Sequence, residues 1–169
     1  MNEQLNKIEE WIVNALNNFA DDYFKQENRS SPFVTHAIKE IIGNYGSENG
    51  FEVCASGFPD YFHNEWLYDL VWYKENENKN LSSVELVLES EMRYGLPAIK
   101  FDFEKLLQSN SIHRIMICLA GKTPIVDIRN YCNKAVDSYN YLKKGDKILT
   151  LIWDDFDSGK FIPHVTIKK

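Results

Sequence analysis

Apolar residues recur at spacings of three and four along the first stretch of the chain: Leu5, Ile8, Ile12, Leu16, Phe19 and Tyr23. That periodicity predicts an amphipathic helix over 2–27. The polar run QENRSS interrupts it. Ser31 followed by Pro32 is a helix-start signal, an N-cap with proline in the first turn. Val34, Ile38 and Ile41 then form the stripe of a second helix from about Pro32 to Ile42. Gly43, Gly46 and Gly50 predict its end and a turn.

A period of two takes over downstream. FEVCASG reads as a first strand, and EWLYDLVWYK and VELVLESEM read as two more, joined by the polar link ENENKN. On the second strand Asp69, Val71 and Tyr73 share one face, while Tyr68, Leu70 and Trp72 take the other. On the third, Glu85, Val87, Glu89 and Glu91 share a face, opposite Val84, Leu86 and Leu88. A hairpin symmetric about Lys79 sets Leu70 against Leu88, Val71 against Val87, Trp72 against Leu86 and Asp69 against Glu89. A slip of one residue would mix the apolar and acidic faces and lose burial.

Gly95 and Pro97 break the pattern, and Ile99 to Ser109 reads as a helix with Ile99, Phe103, Leu106 and Leu107 inward. HRIMICLA is a short apolar run typical of a buried strand. IVDIRNYCNKAVDSYN is a further helix, and DKILTLIWDD and KFIPHVTIKK are two final strands around a turn at Asp157, Ser158 and Gly159. This order predicts one α/β domain with a central mixed β-sheet flanked by helices. Strand–helix–strand after the hairpin implies a crossover and parallel pairing. The helix of residues 1–27 reads as an addition outside the core of 31–119, and 120–169 adds a helix and two strands.

At 169 residues the length suits one domain. An apolar fraction of 44% and 14% aromatics suffice for a packed core. Net charge −6 and a pI near 5.2 argue against a histone-like binder of polyanions, but leave room for a nuclease with a local basic rim. Cys54, Cys118 and Cys132 are sparse and odd in number, which predicts a reducing compartment, no disulfide framework and no zinc site. The polar, acidic start does not read as a signal peptide, and no apolar run nears the roughly 20 residues that span a bilayer. A cytoplasmic location without membrane contact is the expectation.

The candidate chemistry lies on the hairpin. Opposed strand residues have Cβ atoms about 4.5–5.5 Å apart, so Asp69 and Glu89 are close enough to share a cation, with Glu91 on the same face. Like charges gathered this way cost stability unless a divalent ion holds them. Other polar features have plainer readings. His36, one turn before Glu40, either joins the site or is a surface histidine, the plainer reading. The loop bearing Tyr61, Phe62, His63 and Trp66 either stacks nucleobases or packs on the core. Asp154, Asp155 and Asp157 read as a solvated turn whose spacing fails the calcium-loop pattern. No nucleophilic triad has a recognisable frame.

With these residues in this order, the chain resembles the PD-(D/E)XK nuclease superfamily, whose restriction-endonuclease-like core runs αβββαβ. The likeness covers roughly Ser31 to Leu119. Asp69 matches the motif Asp, and Glu89-Ser90-Glu91 matches (D/E)-x-K with Glu91 in the place of the lysine. Glu40 looks like the glutamate of the first core helix. The resemblance implies hydrolysis of phosphodiester bonds in DNA or RNA with Mg²⁺ or Mn²⁺. Asp69 and Glu89 would be metal ligands. Glu91 would be a further ligand or would hold the attacking water, and Glu40 would bind through water or a second ion. Lys100 and Lys105 on the following helix are candidates for the displaced lysine, and Arg93 for a phosphate contact. Nucleic acid is the implied partner, and a homodimer is compatible with it. The alternative is a catalytically degenerate member that acts as an interaction or regulatory module.

Overall fold

Six strands in chain order build one sheet in the computed structural model, which describes residues 5–23, 30–59 and 62–169. The helices are α1 (Lys7–Tyr23), α2 (Ser31–Glu48), α3 (Leu96–Leu107) and α4 (Ile125–Ser138). The strands are β1 (Glu52–Ala55), β2 (Leu70–Glu75), β3 (Leu81–Glu91), β4 (His113–Leu119), β5 (Lys147–Trp153) and β6 (Phe161–Ile167). β1–β2–β3 is an antiparallel meander, β3–β4 and β4–β5 pair in parallel, and β5–β6 is antiparallel. This is a single α/β domain with a mixed sheet. The parallel pairs follow from the β3–α3–β4 and β4–α4–β5 crossovers. Among the described residues, no helix is long and apolar enough to cross a membrane.

The sheet is buried on both faces. Leu70, Trp72, Leu86, Leu88, Ile115 and Ile117 pack towards α1 and α2. Val71, Val87, Met116, Cys118 and Ile152 pack towards α3 and α4. The near-continuous apolar runs of β4 and β5 are what a strand covered on both sides requires. α1, expected as an addition to the core, buries Ile12, Leu16 and Ala20 completely within the first of these clusters. Residues 2–4 and 24–27 of the helix expected over 2–27 lie outside the described residues, as does Tyr61 of the aromatic loop.

The hairpin has the expected register from Leu70 to Trp72, each paired with the residue that symmetry about Lys79 selects. Beyond Trp72 the pairing shifts, so that Tyr73 faces Val84. The bulge adds one residue to β3 and reverses its alternation. Val84, expected beside Leu86, therefore packs instead with the α3–α4 cluster. At the turn, Lys79 has φ 61° and Asn76 Oδ1 accepts from the amides of Asn78 and Asn80. That side-chain capping explains the Asn-rich link.

α2 departs most from expectation. It is capped by Ser30, whose hydroxyl accepts from the Phe33 amide, and it continues through Gly43 and Gly46 to Glu48. The glycines do not end the helix. They let it sit against bulky side chains: a Cβ on Gly43 would lie 2.6 Å from the Phe62 ring, and one on Gly46 would lie 2.4 Å from Trp72 Nε1. Trp72 is fully buried and cannot swing away. Gly46→Ala should therefore cost about 2 kcal/mol through overpacking, although alanine normally favours a helix by about 1 kcal/mol over glycine. Urea denaturation reads the sign directly. Equal or greater stability in the variant would contradict the close approach.

Candidate active site at the carboxyl edge of the sheet

Because β2 runs against β3, the start of β2 and the end of β3 meet at one edge. β4 and β5 end at that edge too. Ligands of open α/β sheets commonly bind at this rim. Asp69, just before β2, accepts from the Ser90 amide through Oδ2 at 2.8 Å. This bond ties Asp69 to β3 beside Glu89, as the hairpin symmetry predicts.

Glu89 is 1% exposed, which is unusual for a carboxylate. The Lys105 ammonium of α3 lies 2.5 Å from its Oε1. This short ion pair occupies Oε1 and is the main force opposing burial of the carboxylate. Burial, reinforced by the charges of Asp69 and Asp102, pushes Glu89 up to about 8 against the pull of Lys105. Burial also raises Asp69, although the Ser90 amide, Lys39 and Lys105 oppose it. Burial pulls Lys105 down, but Glu89, Asp102 and Asp69 outweigh it and hold its ammonium above the ordinary lysine value.

Glu91 is placed differently. Arg93 Nε lies 3.1 and 3.0 Å from its two oxygens, Arg93 Nη2 lies 2.6 Å from Oε2, and the Arg93 amide reaches Oε1 at 2.7 Å. Burial alone would raise Glu91, yet these bonds hold it below the usual carboxylate range. Its oxygens are committed to arginine, so it does not complete a set of three metal ligands. Glu40 is exposed, one residue beyond buried Lys39 and hence about 100° round α2. Lys100 is exposed as well, 3.7 Å from Glu104, and lines a separate cleft with Tyr131 between α3 and α4. Lys105, the other lysine of that helix considered from the sequence, is the one that reaches the acids.

Two contributors escape the sequence reading. Asp102 sits 3.7 Å from Lys105 on the same flank of α3. Its signal is the spacing: Asp102 and Lys105 directly precede Phe103 and Leu106, so both border the buried stripe. Lys39 is buried, and its Nζ donates to Ser56 Oγ at 2.7 Å. It lines a cleft of about 400 Å³ with His36, Ser90, Glu91 and Arg93. His36 stacks on Phe58 at 4.2 Å. His63 pairs with Glu52 at 3.2 Å, and Trp66 packs on Tyr73. Asp154 caps its own turn by accepting from the Ser158 amide.

Asp69 and Glu89 are hard oxygen donors of the kind that suits Mg²⁺, an ion often held by one or two carboxylates and several waters. Among the described residues, no three His, Cys, Asp or Glu side chains form a group able to hold a metal ion. Any ion here would thus rest on two carboxylates, with water and substrate completing its shell. Comparison with family models, with curated proteins and with solved structures returns no match.

Proposed function

We propose that the chain is a metal-dependent phosphodiesterase of the restriction-endonuclease-like type, acting on DNA or RNA. The observation that carries this reading is the Lys105 ammonium beside Glu89 and Asp69. It supplies, from the neighbouring helix, the cation that Glu91 does not provide in the strand motif. The α2–β1–β2–β3–α3–β4 order and the acids at the strand ends support the same assignment.

In this reading Asp69 and Glu89 would hold Mg²⁺, and Lys105 would orient the attacking water and offset negative charge developing on the phosphate. When bound, Mg²⁺ would lower the pKa of a ligated water and stabilise the leaving oxygen. Asp102 and Glu89 fix the Lys105 ammonium from two sides. Glu91 positions Arg93, whose outer guanidinium edge is free to meet a phosphate. Lys39 brings a second cation to the same cleft.

Asp69→Ala should lower the rate of oligonucleotide or plasmid cleavage in Mg²⁺ or Mn²⁺ by about 100-fold or more, with an unchanged circular dichroism spectrum. Failure of the wild-type protein to cleave single-stranded, duplex and branched substrates would sink the enzyme reading. One observation favours a second reading, an interaction module that kept the fold and lost the chemistry: Glu89 and Glu91 are already paired with Lys105 and Arg93 inside the protein. Titration calorimetry with Mn²⁺ separates the two. Binding that disappears in Asp69→Ala supports the enzyme, and no binding supports the module.

A further inference from the structure

The cleft beside Lys39 is the first of three that adjoin along the carboxyl edge. It shares Ser31 and Met92 with a second cleft, of about 280 Å³. The second shares Tyr94 with a third, of about 440 Å³, bordered by Gly95, Lys122, Thr123 and Phe156. The trough therefore crosses the loops that follow β3, β4 and β5, a distance on the order of 10 Å at ordinary strand spacing.

Its lining changes character along the way. At the acid end stand Lys39 and Arg93. In the middle lies the start of α2 with the Ser30 and Ser31 hydroxyls, at the helix end that favours anions. At the far end Tyr94 and Phe156 are 64% and 66% exposed, large aromatic areas left in water beside Lys122.

Tyr94 is a built platform. Its ring lies on the backbone of Gly121, where a Cβ would come within 2.1 Å of the ring, and Gly121 has φ 55°. The Gly121 amide donates to Asp155 Oδ1 at 3.1 Å, which holds the backbone beneath the ring. The ring is thus fixed on one side while much of its surface faces solvent. Cations at one end of a trough and open rings at the other, Tyr94 held against Gly121 and Phe156 in water beside it, match the pairing of phosphate and base contacts in single-strand binding. A duplex keeps its bases stacked inward and offers the rings nothing.

Resting on the phosphodiesterase reading above, we infer that the substrate is a single-stranded polynucleotide whose bases next to the cleaved bond stack on Tyr94 and Phe156. Lys122 meets the phosphate between them, and Arg93 and Lys39 meet the phosphates at the acids.

Fluorescence anisotropy with labelled DNA and RNA dodecamers, single-stranded, duplex and abasic, tests this in EDTA with the full chain. At least one single strand should bind more tightly than its duplex and its abasic form. Tyr94→Ala and Phe156→Ala should each weaken that binding about tenfold, while Tyr94→Phe stays near wild type. Equal binding of duplex and single strand, unchanged binding by both alanine variants, or no binding of either dodecamer would overturn the inference. Cleavage of the same oligonucleotides in Mn²⁺ tests the underlying reading separately. Cleavage that is indifferent to Tyr94 and Phe156 leaves the enzyme standing without the stacking platform. Stacking-dependent binding without cleavage leaves the platform on a protein that is not a nuclease.

Discussion

Glu89→Gln is expected to stabilise the metal-free protein at alkaline pH and, under the phosphodiesterase reading proposed above, to abolish binding of divalent cations. Glu89 is pushed up to about 8 in the folded chain, from an ordinary value of 4.5, chiefly by burial. A folded-state value above the unfolded one means that folding is most favourable below pH 4.5, with Glu89 protonated. Stability then declines as pH rises towards 8, and above that the loss is complete. A shift of this size corresponds to an upper bound of about 5 kcal/mol. Glutamine carries no charge to desolvate and gives up the attraction to Lys105, so a net gain of about 2 kcal/mol at pH 9 is expected. For a chain of this length that is a rise in Tm of about 4–8 °C. Thermal melts in EDTA at pH 5 and pH 9 check both size and sign: the advantage should be large at pH 9 and should shrink at pH 5. A variant less stable than wild type at both pH values would show that the Lys105 pairing outweighs desolvation. Gain of stability with loss of Mn²⁺ binding is the pattern of a site kept for function at the expense of the fold.

The same contrast between burial and pairing decides what the sequence could show. Alternation placed Asp69 and Glu89 together because a strand's side-chain period is fixed, and Leu70 to Trp72 pair as symmetry requires. The bulge after Trp72 left no mark in the letters, so the side taken by Val84 was not legible. Glu91 shares the face of Glu89, but its carboxylate direction depends on Arg93, two residues on, closing a bidentate pair. Strand period gives the face of a side chain and says nothing about its partner. Helix spacing had the same limit on α2 and α3. It set Ile38 and Phe103 inward but could not rank Lys39 over Glu40, or Lys105 over Lys100, because the choice rests on what each flank meets across the sheet edge. Gly43 and Gly46 look like breakers until Phe62 and Trp72 are seen against them.

Loss of Glu9 is expected to be the most damaging single change to the fold outside the apolar core. Glu9 is 2% exposed. It exchanges bonds with Asn6, each side chain accepting from the other's amide at 3.0 Å, which closes a capping box at the start of α1. Its carboxylate also meets Lys147 Nζ at 2.6 Å and lies 3.6 Å from His113 Nδ1. One side chain thus caps α1 and latches it to the starts of β4 and β5. Glu9→Ala leaves a half-buried lysine without its partner and opens the box, a cost of about 3 kcal/mol in urea denaturation at pH 7. Glu9→Gln keeps the shape and one acceptor and should cost about half as much. Burial alone would raise Glu9, but His113, Lys147 and Asn6 hold it below the ordinary value. Its contribution is therefore present above pH 4.5 and lost as pH falls through the lower folded value, so the gap between wild type and Glu9→Gln should close in acid. This dependence is opposite in sign to that of Glu89: one buried glutamate is secured by its partners, and the other is only partly compensated. A gap that stays constant into acid, or a loss below about 1 kcal/mol for Glu9→Ala, would mean that the latch acts as a surface pair. Tyr23, at the far end of α1, lines the middle of the trough, so under the single-strand inference above weakening the latch should also reduce that binding.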